Sequence, residues 1–178
     1  SVGTSLNDQT HFKKFLYNKG SGTDFLGFDN GFRSLKGGIN AVLSPMNNGY
    51  DLLNNGLNND WTVKDRRPLA DLSLNMNFSR RWVDSSGRTL AILGTVNYSN
   101  SYRTYLDMDN NLFGAYDMTH DCSNYLRKSI DDQYNHSVRI GTMLNFTYIP
   151  ASGNSRYEFK NIFNQLGKDR YTYRKGTD

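Results

Sequence analysis

Four segments between Leu72 and Leu166 alternate apolar with polar side chains, each over about ten residues, which confines the chain to antiparallel sheet with two unlike faces. In the first, Leu72, Leu74, Met76 and Phe78 alternate with Ser73, Asn75, Asn77 and Ser79. In the second, Leu90, Ile92, Val96 and Tyr98 alternate with Thr95, Asn97 and Ser99, and Leu93 intrudes on the polar side. In the third, Val138, Ile140, Leu144, Phe146 and Tyr148 share one face, while Arg139, Gly141, Asn145 and Thr147 share the other. The fourth sets Tyr157 and Phe159 against Glu158 and Lys160. Its phase slips after Asn161, at Ile162 and Phe163, as at a bulge or a misplaced strand end.

Two architectures have this pattern. In a soluble sandwich the apolar face packs on a second sheet and the polar face meets water. In a transmembrane barrel the apolar face meets lipid and the polar face lines the lumen. Strand length favours the barrel, since globular strands run about five or six residues and a tilted spanning strand needs about nine to eleven. The connections point the same way. Asp84-Ser85-Ser86-Gly87 and Pro150-Ala151-Ser152-Gly153-Asn154 are tight-turn sequences. Between them Arg103 to Tyr134 reads as a long excursion, and another runs from about Asp8 to Pro68. Short periplasmic turns alternating with long extracellular loops are the rhythm of an outer-membrane barrel.

Mean hydropathy is low, at -0.71, and no continuous apolar stretch is long enough for a membrane helix. That is compatible with a barrel, whose lipid face is hidden in alternation. Trp82, Tyr98, Tyr102 and Tyr148 fall toward strand ends, the place of an aromatic girdle. A sheet in lipid must close, and the smallest single-chain barrels have about eight strands. Counting Val2 to Leu6 as the tail of one more strand, the sequence supplies about five. Residues 1–178 are therefore expected to be part of one barrel domain, with a plug and the remaining strands absent.

Three segments resemble a known family. Tyr17-Asn18-Lys19-Gly20-Ser21-Gly22-Thr23-Asp24-Phe25-Leu26-Gly27-Phe28-Asp29-Asn30-Gly31-Phe32-Arg33 resembles the segment after the first barrel strands of TonB-dependent outer-membrane receptors of Bacteroidetes type. Asn97-Tyr98-Ser99-Asn100-Ser101-Tyr102-Arg103 and Phe159-Lys160-Asn161-Ile162-Phe163-Asn164-Gln165 resemble barrel strands of that family, in the same order. The resemblance implies a barrel of about 22 strands closed by an N-terminal plug. It also implies residence in the bacterial outer membrane, import of a glycan, peptide, siderophore or vitamin, and a TonB partner engaged through parts not present here. Similarity to glycan importers would add a surface lipoprotein partner. The alternative is a soluble β-sandwich ligand-binding or adhesion module.

Ligand recognition is expected in the loops, which vary freely on a rigid wall. The first holds Asp29, Arg33, Tyr50 and Trp61, and the second opens with Arg103 and Tyr105. Arg139, Asn145, Glu158 and Lys160 are the polar positions expected to face the lumen. Asp107, Asp109 and Asn111 present alternating oxygens suited to calcium, without the Gly and Glu of a twelve-residue calcium loop. The glycines at 20, 22, 27, 31, 37 and 38 are not set between a strand and a helix, so a nucleotide cradle is unsupported.

The net charge of +4 comes from scattered cationic pairs, such as Lys13-Lys14, Arg80-Arg81 and Arg127-Lys128, rather than a stripe suited to nucleic acid. With Cys122 as the single cysteine, no internal disulfide is possible. His11, His120 and His136 sit beside no nucleophile elbow or carboxylate pair, so no enzyme is expected.

Overall fold

Alternation produces strands throughout the computed structural model, which describes residues 1–34 and 62–177. Its elements are β1 (Val2–Ser5), β2 (Phe15–Asn18), β3 (Val63–Arg66), β4 (Asp71–Val83), β5 (Thr89–Asp109), β6 (Leu112–Asp117), β7 (Cys122–Ile149) and β8 (Tyr157–Thr177), with one 3-10 turn at Asp24–Leu26. Among the described residues no helix is long and apolar enough to cross a membrane.

The main sheet is antiparallel, in the order β1-β4-β5-β7-β8, and β6 prolongs the line of β5 along β7. It is open, with β1 and β8 as its margins among the described residues. Strands β2 and β3 pair separately. Both short turns lie at one end of the sheet. In the first, the Gly87 amide donates to the Asp84 carbonyl at 2.9 Å, and Gly87 has φ 80°, a region that lacks steric cost only without a Cβ. In the second, the Gly153 amide donates to the Pro150 carbonyl at 3.0 Å.

Two expectations about strand extent are corrected. The stretch from Arg103 to Tyr134 is not a long loop: β5, β6 and β7 carry the ladder onward to a hairpin tip near Thr119. Its Asp and Asn residues read as turn formers, yet they stabilise the ladder. The register shifts between Tyr105 and Met108, where Asp107 has φ 55° and its amide donates to Asp132 at 3.0 Å. Asn110 then donates to Asp131 at 2.7 Å and accepts the Ser129 hydroxyl at its carbonyl at 2.6 Å. Nor is there a bulge at Ile162 and Phe163. Pairing of β7 with β8 runs unbroken from Tyr148↔Tyr157 to Lys128↔Thr177. Phe163 keeps its place on the apolar face, and the residues out of pattern are Ile162, which meets Met143 on the polar face, and Asn161, opposite Leu144.

The register aligns the apolar positions into one band, interrupted by Arg80 on β4, Thr142 on β7 and Asn161 on β8. Across the sheet it carries Leu74, Met76 and Phe78 on β4, Ile92, Val96 and Tyr98 on β5, Ile140, Leu144 and Phe146 on β7, and Phe159 and Phe163 on β8. Trp82, Tyr148 and Tyr157 edge the band at the short-turn end, and Tyr98 and Tyr102 lie at its other end. Much of it is uncovered: Met76 is 69% exposed, Phe78 55% and Phe159 58%.

Farther from the short turns, the same face is covered. The segment that contains β2, the 3-10 turn and β3 lies across β5, β7 and β8, and buries Phe15 and Val138 to 1% exposure and Tyr134 to 9%. Phe15 meets Tyr102 and Tyr134 edge-on, with ring centroids 5.4 and 5.5 Å apart. Beyond the start of β4, the edge amides of β5 lose their strand partner, and side chains replace it. Tyr102 donates to the Asp71 carboxylate at 2.9 Å, and Thr104 donates to the Thr10 hydroxyl at 2.9 Å. His11 accepts the Asn7 amide at Nδ1 (2.7 Å) and bonds Asp71 through Nε2 (2.9 Å), while Arg103 pairs with the same carboxylate at 2.5 Å.

Candidate functional site

A recess lies where residues 17–25 bridge the covered half of the sheet. It has a volume of about 290 Å³, at the small end of ligand pockets. Its floor is Asn100 and Tyr102 from β5, His136 from β7 and Asp169 from β8. Strict alternation and the register bring these four side chains to one face. Tyr17, Lys19, Lys64 and Arg66 form a wall, and Asp24 and Phe25 overhang it.

Aromatic stacking organises the floor. Tyr102 and His136 lie parallel, 4.4 Å between centroids and 8° between planes, and His136 Nε2 bonds the Asn100 side-chain oxygen at 2.9 Å. Burial pushes the His136 imidazole down to about 4, and nearby Arg66 acts in the same direction, so the ring is neutral at pH 7. The Arg66 guanidinium sits 4.6 Å from the Tyr17 ring centre and 4.8 Å from that of Tyr102, a cation held by π faces. Its Nε is buried without a hydrogen-bond partner.

Asp169, opposite His136 across the ladder, is half-buried. Burial raises its carboxyl above the ordinary range, Asp24 adds to this, and Arg33 and Arg66 oppose it. Asp169 makes no ion pair among the described residues. Asp24, in contrast, is gripped by both Arg33 nitrogens, at 2.8 and 2.7 Å.

Backbone contacts seat the overhanging segment. Gln165 donates to the Gly27 carbonyl at 2.7 Å, Tyr98 donates to the Phe25 carbonyl at 2.9 Å, and Phe28 stacks on Phe163. Gly167 permits this approach, because a Cβ there would come within 2.8 Å of Gly27 Cα. A second recess of about 300 Å³ opens on the other side of Asp24, between Phe28, Asp29, Arg33 and the Leu166–Asp169 stretch of β8.

The residues expected to bind ligand do not form one group. Asp29 and Arg33 line the second recess, but Arg33 is occupied by Asp24 and, at 3.3 Å, by Asp29, so the pair shapes the segment. Arg103 is committed to Asp71 and the Tyr102 carbonyl. Tyr105 is exposed on the opposite face, and Tyr50 and Trp61 lie outside the described residues. Of the expected lumen positions, Asn145, Glu158 and Lys160 line a shallow groove of about 450 Å³ on the polar face, together with Arg81 and Arg156. Glu158 there bridges Arg156 and Lys160, the latter at 3.0 Å. Arg139 shares that face farther along, opposite Ser99 and Leu166.

Asp107, Asp109 and Asn111 are spread along the ladder, where Asn111 accepts the Ser129 amide at 3.2 Å. Among the described residues, no group of three or more His, Cys, Asp or Glu side chains is placed to hold a metal.

Sequence reading missed Arg66, His136 and Asp169 as partners. For His136 the available signal was phase, since it continues the apolar face of Val138 and Ile140; Asp169 follows Gln165 and Gly167 on its face, where no apolar pattern marks it. No protein-family model matches the chain, and no curated protein or solved structure shows a significant match to it.

Proposed function

We propose that this chain is a wall segment of an outer-membrane β-barrel of the TonB-dependent receptor kind, importing a nutrient such as a glycan, peptide, siderophore or vitamin. The observation that carries this reading is the uncovered apolar band. From Leu72 to Trp82 the strand rises about 33 Å at ~3.3 Å per residue. Tilted by about 40°, it crosses about 25 Å, the height of the lipid-facing belt of outer-membrane barrels. Trp82, Tyr148 and Tyr157 at the short-turn margin match an interfacial girdle.

The polar face, with the Asn145, Glu158 and Lys160 groove, then lines the lumen. The hairpin of β5, β6 and β7 projects beyond the bilayer, because the 28 residues of β7 extend about 90 Å at ~3.3 Å each, against a hydrocarbon core of about 30 Å. Closure needs strands beyond the margins β1 and β8, since unpaired backbone groups are not tolerated in hydrocarbon. Energy coupling would come from a TonB partner outside this segment, and a surface lipoprotein is a candidate lid.

The test is purification of the chain with and without detergent, followed by size distribution and far-ultraviolet circular dichroism. A β-rich species that is monodisperse only in detergent, or only when flanking strands are restored, is the expected result. A β-rich monomer in plain buffer overturns the reading in favour of a soluble binding or adhesion module.

A further inference from the structure

Opposite charges share the recess beneath residues 17–25 without pairing. Arg66 is in contact with the rings of Tyr17, Tyr102 and Phe15, whose centres lie 4.6, 4.8 and 5.7 Å away, and its Nε is buried with no hydrogen-bond partner. Ring faces offset a cation's charge, yet they accept none of the in-plane hydrogen bonds that a guanidinium fork donates. Asp169 lines the same recess, half-buried, and makes no ion pair among the described residues.

The other charged groups leave these two as they are. Asp24, on the overhang, is held by both Arg33 nitrogens at 2.8 and 2.7 Å, and Arg33 also takes Asp29 at 3.3 Å, so that set is closed on itself. Lys64 stands exposed on the wall with Arg66 and adds to its positive charge. The rest of the floor is neutral at pH 7, with Asn100 bonded to a His136 imidazole that burial pushes down to about 4.

One ligand carrying both charges would satisfy both groups. A carboxylate matches the planar fork of a guanidinium, and an ammonium brings the donors that a half-buried carboxylate lacks. A recess of about 290 Å³ has room for an amino acid or a short peptide. We propose that it binds a zwitterion of this class, with its carboxylate on Arg66 and Lys64 and its ammonium on Asp169. The site stands on its own lining and does not depend on a membrane. In a barrel it lies on the face opposite the lumen, beyond the Tyr98 and Ile140 rung where the apolar band ends, so the ligand comes from the medium and binds apart from the import path. In a soluble module the same lining meets bulk water.

Alanine, dialanine and trialanine, each also as an N-acetyl form without the ammonium and a C-terminal amide without the carboxylate, are titrated against the full chain in the medium that keeps it monodisperse. Binding is read by ligand-observed NMR. The expected result is saturable binding of at least one zwitterion, weakened about tenfold by blocking either end. Asp169→Asn should weaken that zwitterion by about tenfold and leave its N-acetyl form unchanged. Lys64→Gln, at an exposed position, should weaken the zwitterion and the N-acetyl form alike by about threefold and leave the amide unchanged. Absence of saturable binding by all three, affinities indifferent to the blocking groups, or a loss in Asp169→Asn that is equal for blocked and unblocked forms overturns the proposal. A β-rich monomer in plain buffer that binds the zwitterion removes the barrel reading alone, whereas a detergent-dependent chain indifferent to the ligand's charges removes this inference alone.

Discussion

The same face of the same strands lives in two environments. Near the short turns, Met76, Phe78 and Phe159 stand largely exposed, whereas farther along Val138 and Tyr134 are buried beneath the segment carrying Phe15 and Arg66. The covered half has its own protein core, built from aromatic edges and a caged guanidinium. The uncovered half has apolar area with no protein partner among the described residues. The sheet thus builds a cover for one half of a face and leaves the other open, and the boundary falls at the Tyr98 and Ile140 rung.

The strongest perturbation of this contrast is Phe15→Ala. Truncation of a fully buried aromatic ring should cost about 3–5 kcal/mol, and the loss should be confined to the covered half. Hydrogen exchange should quicken in β2, β3 and the Tyr134 stretch of β7 while the amides facing Met76 stay protected. Next is Met76→Arg. At a lipid-facing position near midplane it should cost about 2–4 kcal/mol of folding free energy in bilayers. At a water-facing position it should stay within about 0.5 kcal/mol, so folding titrations into vesicles place the open half in one solvent or the other.

Acid should act on the covered half before the open one. His136 is neutral in the fold with its value depressed to about 4 from an ordinary 6.5, so its contribution is complete above pH 6.5 and is lost as pH falls toward 4. That difference corresponds to about 3 kcal/mol. Denaturation midpoints measured from pH 7.5 to pH 4 should fall accordingly, and His136→Gln should flatten the curve.

The smallest expected effect is at Asp131, where hydrogen bonds from Arg174 and Asn110 hold the carboxyl down to about 2. Its contribution is complete above about pH 4 and is lost as pH falls toward 2. Loosening of the Arg174 end of β8 in that window should disappear in Asp131→Asn, which hydrogen exchange at Tyr173 and Lys175 would register.

Much of the sheet was legible before the structure. The four alternating segments, both tight turns and a strand within Val2 to Leu6 follow from local chemistry, whereas the pairing of that strand with β4 does not. The hairpin beyond Arg103 was not legible, because Asp107, Asp109 and Asn110 carry turn propensity that pairing across the ladder overrides. The recess was hidden for a related reason. Arg66, Tyr102, His136 and Asp169 are distant in sequence and meet only because register sets them on one face.

What the sequence determines by itself is the two-faced character of the strands and the places where the chain must turn. Side-chain direction in a strand reverses at every residue, and a left-handed turn position selects glycine, so both are written in nearest neighbours. Only the tertiary structure decides how far each strand runs, which half of the apolar face is covered, and which charges share a recess. Those outcomes depend on backbone groups and side chains finding partners far along the chain, and an edge amide such as that of Tyr102 is satisfied only once Asp71 has been brought beside it.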